Sequence, residues 1–267
     1  MTYFHILLVA AIQGLTEFLP VSSSAHLILL PALSHMEDQG LTIDVATHIG
    51  TLLAVILYFR ADVKMALSGV PDLLRGRMDS PGARLALLLV IATIPVVVVG
   101  FVLKLTGLEE AMRSVTVIGW TMLIFGLVLY WADRTGGSEH RAEDWTMKHA
   151  WVMGLWQAVA LIPGTSRSGI TITAARRLGY ERSDAARLSM LMSIPTIIAS
   201  GTLLGLDVIA EGNMALLRDA SIAALFAFFA ALLALSLMMR LLRSISFTPY
   251  VVYRVVLGLV LLWIAYS

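Results

Sequence analysis

Long apolar runs separated by short charged stretches dominate the chain. Six of them, near 43–59, 84–103, 115–132, 185–206, 220–239 and 249–266, each have about the 17–22 residues that carry a helix across a ~30 Å hydrocarbon core. Two further apolar stretches are interrupted. Residues 3–18 run into a polar break at 20–24 and resume as a short helix over about 26–35, and 149–175 has the same form. Proline at the break stops a helix, and the hydroxyl residues after it suit the N-cap of the next one. Neither half of these segments is long enough to span, so each predicts a re-entrant helical hairpin. Membrane depth tolerates broken backbone only where protein or a cavity covers it. The pattern as a whole predicts an all-α integral membrane protein with about six transmembrane helices and two re-entrant hairpins.

The two broken segments share a grammar. The first reads Gln13-Gly14-Leu15-Thr16-Glu17-Phe18-Leu19-Pro20-Val21-Ser22-Ser23-Ser24-Ala25-His26. The second reads Gln157-Ala158-Val159-Ala160-Leu161-Ile162-Pro163-Gly164-Thr165-Ser166-Arg167-Ser168-Gly169-Ile170-Thr171. Aligning Pro20 with Pro163, 143 positions on, matches Ser22 with Thr165, Ser23 with Ser166 and Ser24 with Arg167. Broken helices at corresponding places in two halves point to a midplane site built between membrane repeats. Asp44-Val45-Ala46 echoes Asp184-Ala185-Ala186 more faintly. The expected organisation is one membrane domain over 1–267, with repeats at about 1–132 and 149–267 and a linker at 133–148.

Charge adds orientation. The segments 60–84, 133–148, 176–187 and 240–248 carry fourteen Lys and Arg, whereas the N-terminus, 34–42, 104–114, 207–219 and the C-terminus carry three. The richer set is expected in the cytoplasm. Both termini then lie outside, the hairpins enter from opposite faces, and the repeat is inverted. Composition fits: 58% hydrophobic, 14% charged, mean hydropathy +0.85. The absence of Cys excludes disulfides and thiolate chemistry, and no Lys or Arg precedes Arg60, so a basic signal-peptide n-region is absent. The net charge of +1 indicates no partner by itself, and nucleic acid is not expected.

Ionisable groups inside such a chain are candidates for function. Arg167, among hydroxyls and Gly at a helix start, suits a phosphate; the alternative is a structural pair with Glu17. Gln13 and Glu17 lie four apart on one helical face and suit a divalent metal shared with a phosphorylated substrate; the alternative is a buried salt bridge or a protonated carboxyl. Ser23 and His26, three apart, outline a nucleophile and base, or His26 attacks or protonates the leaving group itself; the alternative is a capping Ser and a structural His. Ser22, Ser24, Ser166, Ser168 and Thr171 are phosphate ligands or helix-packing hydroxyls. His48 reads as a packed, hydrogen-bonded residue. Arg254 reads as a snorkelling residue. The Arg176, Arg177, Arg182 and Arg187 cluster reads as the positive-inside signal, with anionic lipid as an alternative ligand.

With these residues assembled, the sequence resembles the undecaprenyl-diphosphate phosphatase family of the bacitracin-resistance type, over essentially the whole chain. Gln13 to His26 looks like the family's (Glu/Gln)-x-x-x-Glu motif with its Ser-rich turn and His. Pro163 to Thr171 looks like its Pro-Gly-x-Ser-Arg-Ser-x-x-Thr motif. Gln13 stands where many members have Glu, and Ser24-Ala25 replaces the common Thr-Gly. The resemblance implies removal of the terminal phosphate from a C55 polyprenyl diphosphate, recycling the lipid carrier of cell-wall synthesis in the bacterial inner membrane. It implies a divalent metal, Mg²⁺ or Ca²⁺, and a site opening to the periplasmic side. Glu17 and Gln13 carry over as the acidic/amide pair, Ser23 and His26 as catalytic candidates and Arg167 as the phosphate clamp. The expected partners are the polyprenyl diphosphate and membrane lipid; a homodimer stays open. The rival readings are a polyprenyl-phosphate transporter or flippase using the same midplane site, and an anion-binding membrane protein without turnover.

Overall fold

Helix boundaries follow local signals. In the computed structural model, which describes residues 2–34, 39–209 and 214–267, the elements run α1 (Tyr3–Thr16), α2 (Ser23–Ser34), α3 (Gly40–Tyr58), α4 (Arg60–Leu74), α5 (Pro81–Thr106), α6 (Leu108–Ala111) and α7 (Val115–Thr135), then α8 (Met147–Val159), α9 (Arg167–Arg177), α10 (Arg182–Ile209), α11 (Met214–Leu241) and α12 (Thr248–Tyr266). α5 shows how such limits arise. The Ser80 hydroxyl caps the Ala83 N–H at 3.3 Å, Pro81 occupies the first turn, and Gly107 ends the helix at φ 68°. The expected outer loops 34–42 and 207–219 fall partly outside the described residues.

Five of the six expected spans are helices long and apolar enough to cross a membrane: α3, α5, α7, α11 from Leu216, and α12. Their outward side chains, such as Val98, Phe101, Leu127, Leu237 and Val256, are exposed and suit lipid. The sixth expected span falls in α10, which is not among the five. Its first turns carry Arg182, Asp184 and Arg187, and the following Leu188, Met190, Leu191 and Met192 are buried against other helices. The 60–84 stretch, read as a loop, instead forms α4 and a turn. α4 lies so close to α5 that a methyl group on Gly69 would overlap the Ala83 amide.

Both interrupted segments are helix, break, helix. α1 and α2 flank a break over 17–22, and α8 and α9 flank one over 160–166. α1 packs on α11 while α8 packs on α5; α3 also meets α10, and α7 meets both α12 and α9. The correspondence between hairpins runs at 144 positions, not 143. Thr2 and Thr146 cap α1 and α8 by accepting from His5 N–H and His149 N–H. Gln13 and Gln157 are both wholly buried. Ser22 and Ser166 are the described non-glycine residues with positive φ, at 73° and 71°. The prolines mislead by one position because they are not the residues that make the turn.

The arginine cluster is committed to protein. Arg176 is 2% exposed and donates to the carbonyls of Gly136, Gly137 and Tyr180, with the Asp133 carboxylate 3.2 Å away. Arg182 also pairs with Asp133 at 2.7 Å. Arg187 bridges Asp62 and Glu143, and Arg177 lies over Trp131. Residues 133–148 are therefore tied to the α9–α10 turn, where His140 and Tyr180 pair as a single β-bridge. Asp133 also accepts the Phe247 N–H at 3.2 Å. Asp133→Ala strands a buried guanidinium, which costs about 3–5 kcal/mol. The thermal unfolding midpoint is expected to fall by on the order of 10 °C; an unchanged midpoint would show that the Asp133 node contributes little.

Candidate active site

The last turn of α1 places Gln13 and Glu17 on one face, and Gln13 Nε2 donates to Glu17 Oε2 at 3.0 Å. The chain then passes Pro20 and turns at Ser22, in the left-handed region that costs an L-residue about 1–3 kcal/mol. Ser22 Oγ holds the turn by meeting Ser24 Oγ at 3.2 Å and accepting from Ala25 N–H at 3.4 Å. The following residue, Ser23, is thereby aimed back at the end of α1, and its Oγ donates to Glu17 Oε2 at 2.7 Å. The second hairpin repeats the device. Ser166 Oγ meets Ser168 Oγ at 3.2 Å and accepts from Gly169 N–H at 3.1 Å. The next residue, Arg167, donates from Nη2 to Glu17 Oε1 at 2.8 Å. Glu17 is thus the junction of both hairpins. Its side chain is 8% exposed and that of Arg167 14%.

His26 is placed differently from its expected role. Its Nδ1–H donates to the Ser22 carbonyl at 2.7 Å, which leaves Nε2 to accept from the Tyr253 hydroxyl. Both nitrogens are occupied, and the partner of Ser23 is Glu17, not His26. Spacing of three put the residues on one face, but the i−4 carbonyl captures the ring. Four of the expected phosphate hydroxyls are buried in the hairpin cores. Ser22 and Ser166 hold the turns. Ser168 donates to the Leu19 carbonyl at 2.9 Å, joining one hairpin to the other. Thr171 Oγ1 lies 2.6 Å from Ser189 Oγ. Ser24 is exposed.

A cavity of about 510 Å³ opens in front of this junction, lined by Gln13, Ser23 and Ser24, by Asp44 and His48 of α3, and by Gln39 and Arg113. Glu17 sits directly behind that wall through its bonds to Ser23 and Gln13, and Arg167 lies one step deeper, on the far oxygen of Glu17. A smaller cavity of about 360 Å³, lined by Asp62, Arg84, Trp145 and Arg187, holds the structural ion pairs described above. His48 is a lining residue rather than a packed one, with Nε2 4.0 Å from Glu17 Oε2. Its sequence signal was available: Asp44 and His48 are polar and four apart within an apolar span.

Arg254 does not snorkel. It is 0% exposed and donates to the carbonyls of Pro20 in the first break, Gly164 in the second, and Thr121 and Met122 of α7, at 3.1–3.4 Å. It thereby satisfies carbonyls that both helix breaks set free.

The donor set suits a divalent cation shared with a substrate. Gln13 Oε1 is buried without a hydrogen-bond partner, beside the Glu17 carboxylate. Among the described residues no three His, Cys, Asp or Glu converge on a point. An ion bound here would take the rest of its ligands from phosphate oxygens, as Mg²⁺ commonly does.

The sequence matches the profile of the bacitracin resistance protein BacA family over residues 6–260. An undecaprenyl-diphosphatase of Dinoroseobacter shibae is 71% identical over 267 residues, the full length of both chains. Those of Roseobacter denitrificans and Ruegeria pomeroyi are 69% and 68% identical over the same span.

The Arg254 node makes its own prediction. Arg254→Met removes the donors that serve Pro20 and Gly164 in the two breaks at once and is expected to lower both thermal stability and turnover. Arg254→Lys, with a point charge in place of a planar fork, restores little of either. Full activity of Arg254→Lys would mean that charge alone, not the fan of carbonyl bonds, is what this position supplies.

Proposed function

The chain belongs to the bacitracin resistance protein BacA family, and we propose from its site how it carries out the hydrolysis its relatives are named for. It is a multi-pass membrane enzyme that hydrolyses undecaprenyl diphosphate to undecaprenyl phosphate and inorganic phosphate. The observation that carries the site assignment is the run of contacts from Ser23 to Glu17 to Arg167: a hydroxyl on a carboxylate on a guanidinium.

Ser23 Oγ faces the cavity with its proton already directed at Glu17. Transfer of that proton to Glu17 as Oγ attacks the terminal phosphorus forms a phosphoserine and releases undecaprenyl phosphate. Water then attacks the same phosphorus, phosphate departs, and Ser23 recovers its proton from Glu17. Arg167 has N–H groups beyond those used on Glu17 and Ser189, and these stabilise the charge gathering on the transferred group. Phosphoryl transfer needs mainly such placement and neutralisation. Ser24, exposed at the cavity, is the hydroxyl best placed to meet phosphate. Ser22, Ser166, Ser168 and Thr171 position the hairpin tips. His26, held by Tyr253, steadies the start of α2. A divalent cation, Mg²⁺ or Ca²⁺, would be held by Glu17 and Gln13 Oε1, and it supplies further neutralisation of the two phosphates.

The same reading covers topology. The excess of Lys and Arg in four segments supports placing them in the cytoplasm of the bacterial inner membrane, with both termini and the cavity mouth on the periplasmic side. The shared turn geometry at Ser22 and Ser166 supports an inverted repeat. A carrier would have use for Arg167 but none for a nucleophilic hydroxyl resting on a carboxylate, and this favours hydrolysis over transport.

Phosphate release from a C55 polyprenyl diphosphate by the purified protein in detergent tests this reading. Ser23→Ala, Glu17→Gln and Arg167→Ala are each expected to lose about 10³-fold or more in turnover, His26→Ala less, and chelator is expected to abolish release by the wild type. Near-wild-type turnover of Ser23→Ala would overturn the covalent route, and undiminished release in chelator would overturn the metal.

A further inference from the structure

We infer that His48 is a third protein ligand of the metal, through Nε2, and that it gives this site a preference for first-row transition ions over Ca²⁺. This rests on the metal reading above. α3 delivers His48 to the cavity wall opposite Gln13 and Ser23, where its side chain is 37% exposed. Its Nδ1–H donates to the Asp44 carbonyl at 2.7 Å, so in the neutral ring the lone pair is on Nε2. A ring nitrogen tied to a backbone carbonyl, with the other left bare, is the usual state of a metal-ligating imidazole.

The spacing fits. Nε2 is 4.0 Å from Glu17 Oε2, too long for a hydrogen bond. Two donors bound to one ion at about 2.1 Å each stand roughly 3–4.2 Å apart, depending on whether they are adjacent or opposite. Gln13 is the third candidate donor: its Nε2 donates to the same carboxylate oxygen at 3.0 Å, its Oε1 is buried with no partner, and turning the amide over on metal binding would present that oxygen to the ion. The imidazole nitrogen of α3 and the side-chain amide of α1 thus both face the Glu17 oxygen that Arg167 leaves alone, since Arg167 holds the other one. One carboxylate makes the site weak alone and strengthens it when phosphates complete the shell. An imidazole ligand suits first-row transition ions such as Fe²⁺, Ni²⁺ and Zn²⁺, with Mn²⁺ the weakest binder of that series, whereas Ca²⁺ prefers oxygen throughout.

The test uses the full-length protein in detergent and Mn²⁺ as probe, alone and with methylenediphosphonate as a non-hydrolysable diphosphate. Electron paramagnetic resonance counts bound Mn²⁺, and electron spin-echo modulation reads nitrogen in its shell. The wild type is expected to bind one Mn²⁺ with imidazole ¹⁴N modulation. His48→Ala and His48→Gln are expected to lose that modulation and to bind Mn²⁺ at least about tenfold more weakly, with a smaller change for Ca²⁺. Bound Mn²⁺ without ¹⁴N modulation in the wild type overturns the inference without recourse to any variant. So does His48→Ala binding as tightly as wild type while Glu17→Ala does not; in both cases the metal at Glu17 survives. No Mn²⁺ bound by the wild type under either condition overturns the metal reading itself.

Discussion

Breaking a helix inside an apolar medium frees carbonyls and amides that no solvent can satisfy, and the whole arrangement depends on how these are met. Arg254 meets them from one point. A single buried guanidinium gathers the carbonyl of Pro20 from one break, that of Gly164 from the other, and two from α7. It has the planar fan of donors for this and brings no carboxylate of its own, so it couples the hairpins instead of merely neutralising one. Ser168 adds a direct bond to the Leu19 carbonyl. With their backbones tied, the tips lie close enough for Arg167 of one hairpin to reach Glu17 of the other.

The division of labour between the hairpins follows from one backbone device used twice. Each break ends in a serine at positive φ, whose side chain caps the next helix and whose successor is the first helical residue. In the first hairpin that successor is Ser23; in the second it is Arg167. Both side chains turn to the same carboxylate, one oxygen each. A hydroxyl, the proposed nucleophile, and a cation therefore follow the same turn in the two hairpins. The residue that both recognise, Glu17, has only an aliphatic counterpart, Leu161, at 144 positions on. The shared turn supplies the geometry, and the proposed chemistry lies in the few side chains that differ.

How much of this was legible in sequence depends on the kind of information required. The two breaks were legible because proline and clustered hydroxyls act locally. Glu17 and Arg167 were legible because a charge in an apolar run needs a partner. The register was misread by one because the turn is made by Ser22 and Ser166, while Pro20 and Pro163 lie at different steps before it. Spacing also fixes a face, not a rotamer, and so could not reveal that His26 bonds back to Ser22 and across to Tyr253. Arg254 was misassigned because position along a helix does not say which side faces protein; only the breaks, folded beside α12, show what the guanidinium is for. The α4 helix was hidden by its charges, which resemble a loop until the Gly69 contact with α5 is seen.

The resting pair of Glu17 and Arg167 also bears on how substrate enters. A buried ion pair adds little net stability, because desolvating two charges offsets most of their attraction. In the proposed mechanism its value lies in keeping both groups dehydrated and in place before phosphate arrives. A diphosphate brings more negative charge than one guanidinium neutralises, and Glu17 already claims part of Arg167. The cavity therefore needs further positive charge while substrate is bound, which Arg113 at its lining and a divalent ion beside Gln13 would provide. Removing one phosphate relieves that demand, and the undecaprenyl monophosphate left behind holds less tightly to the same cations. On the proposed site assignment, the electrostatics that would draw the diphosphate in would thus also favour release of the lipid product.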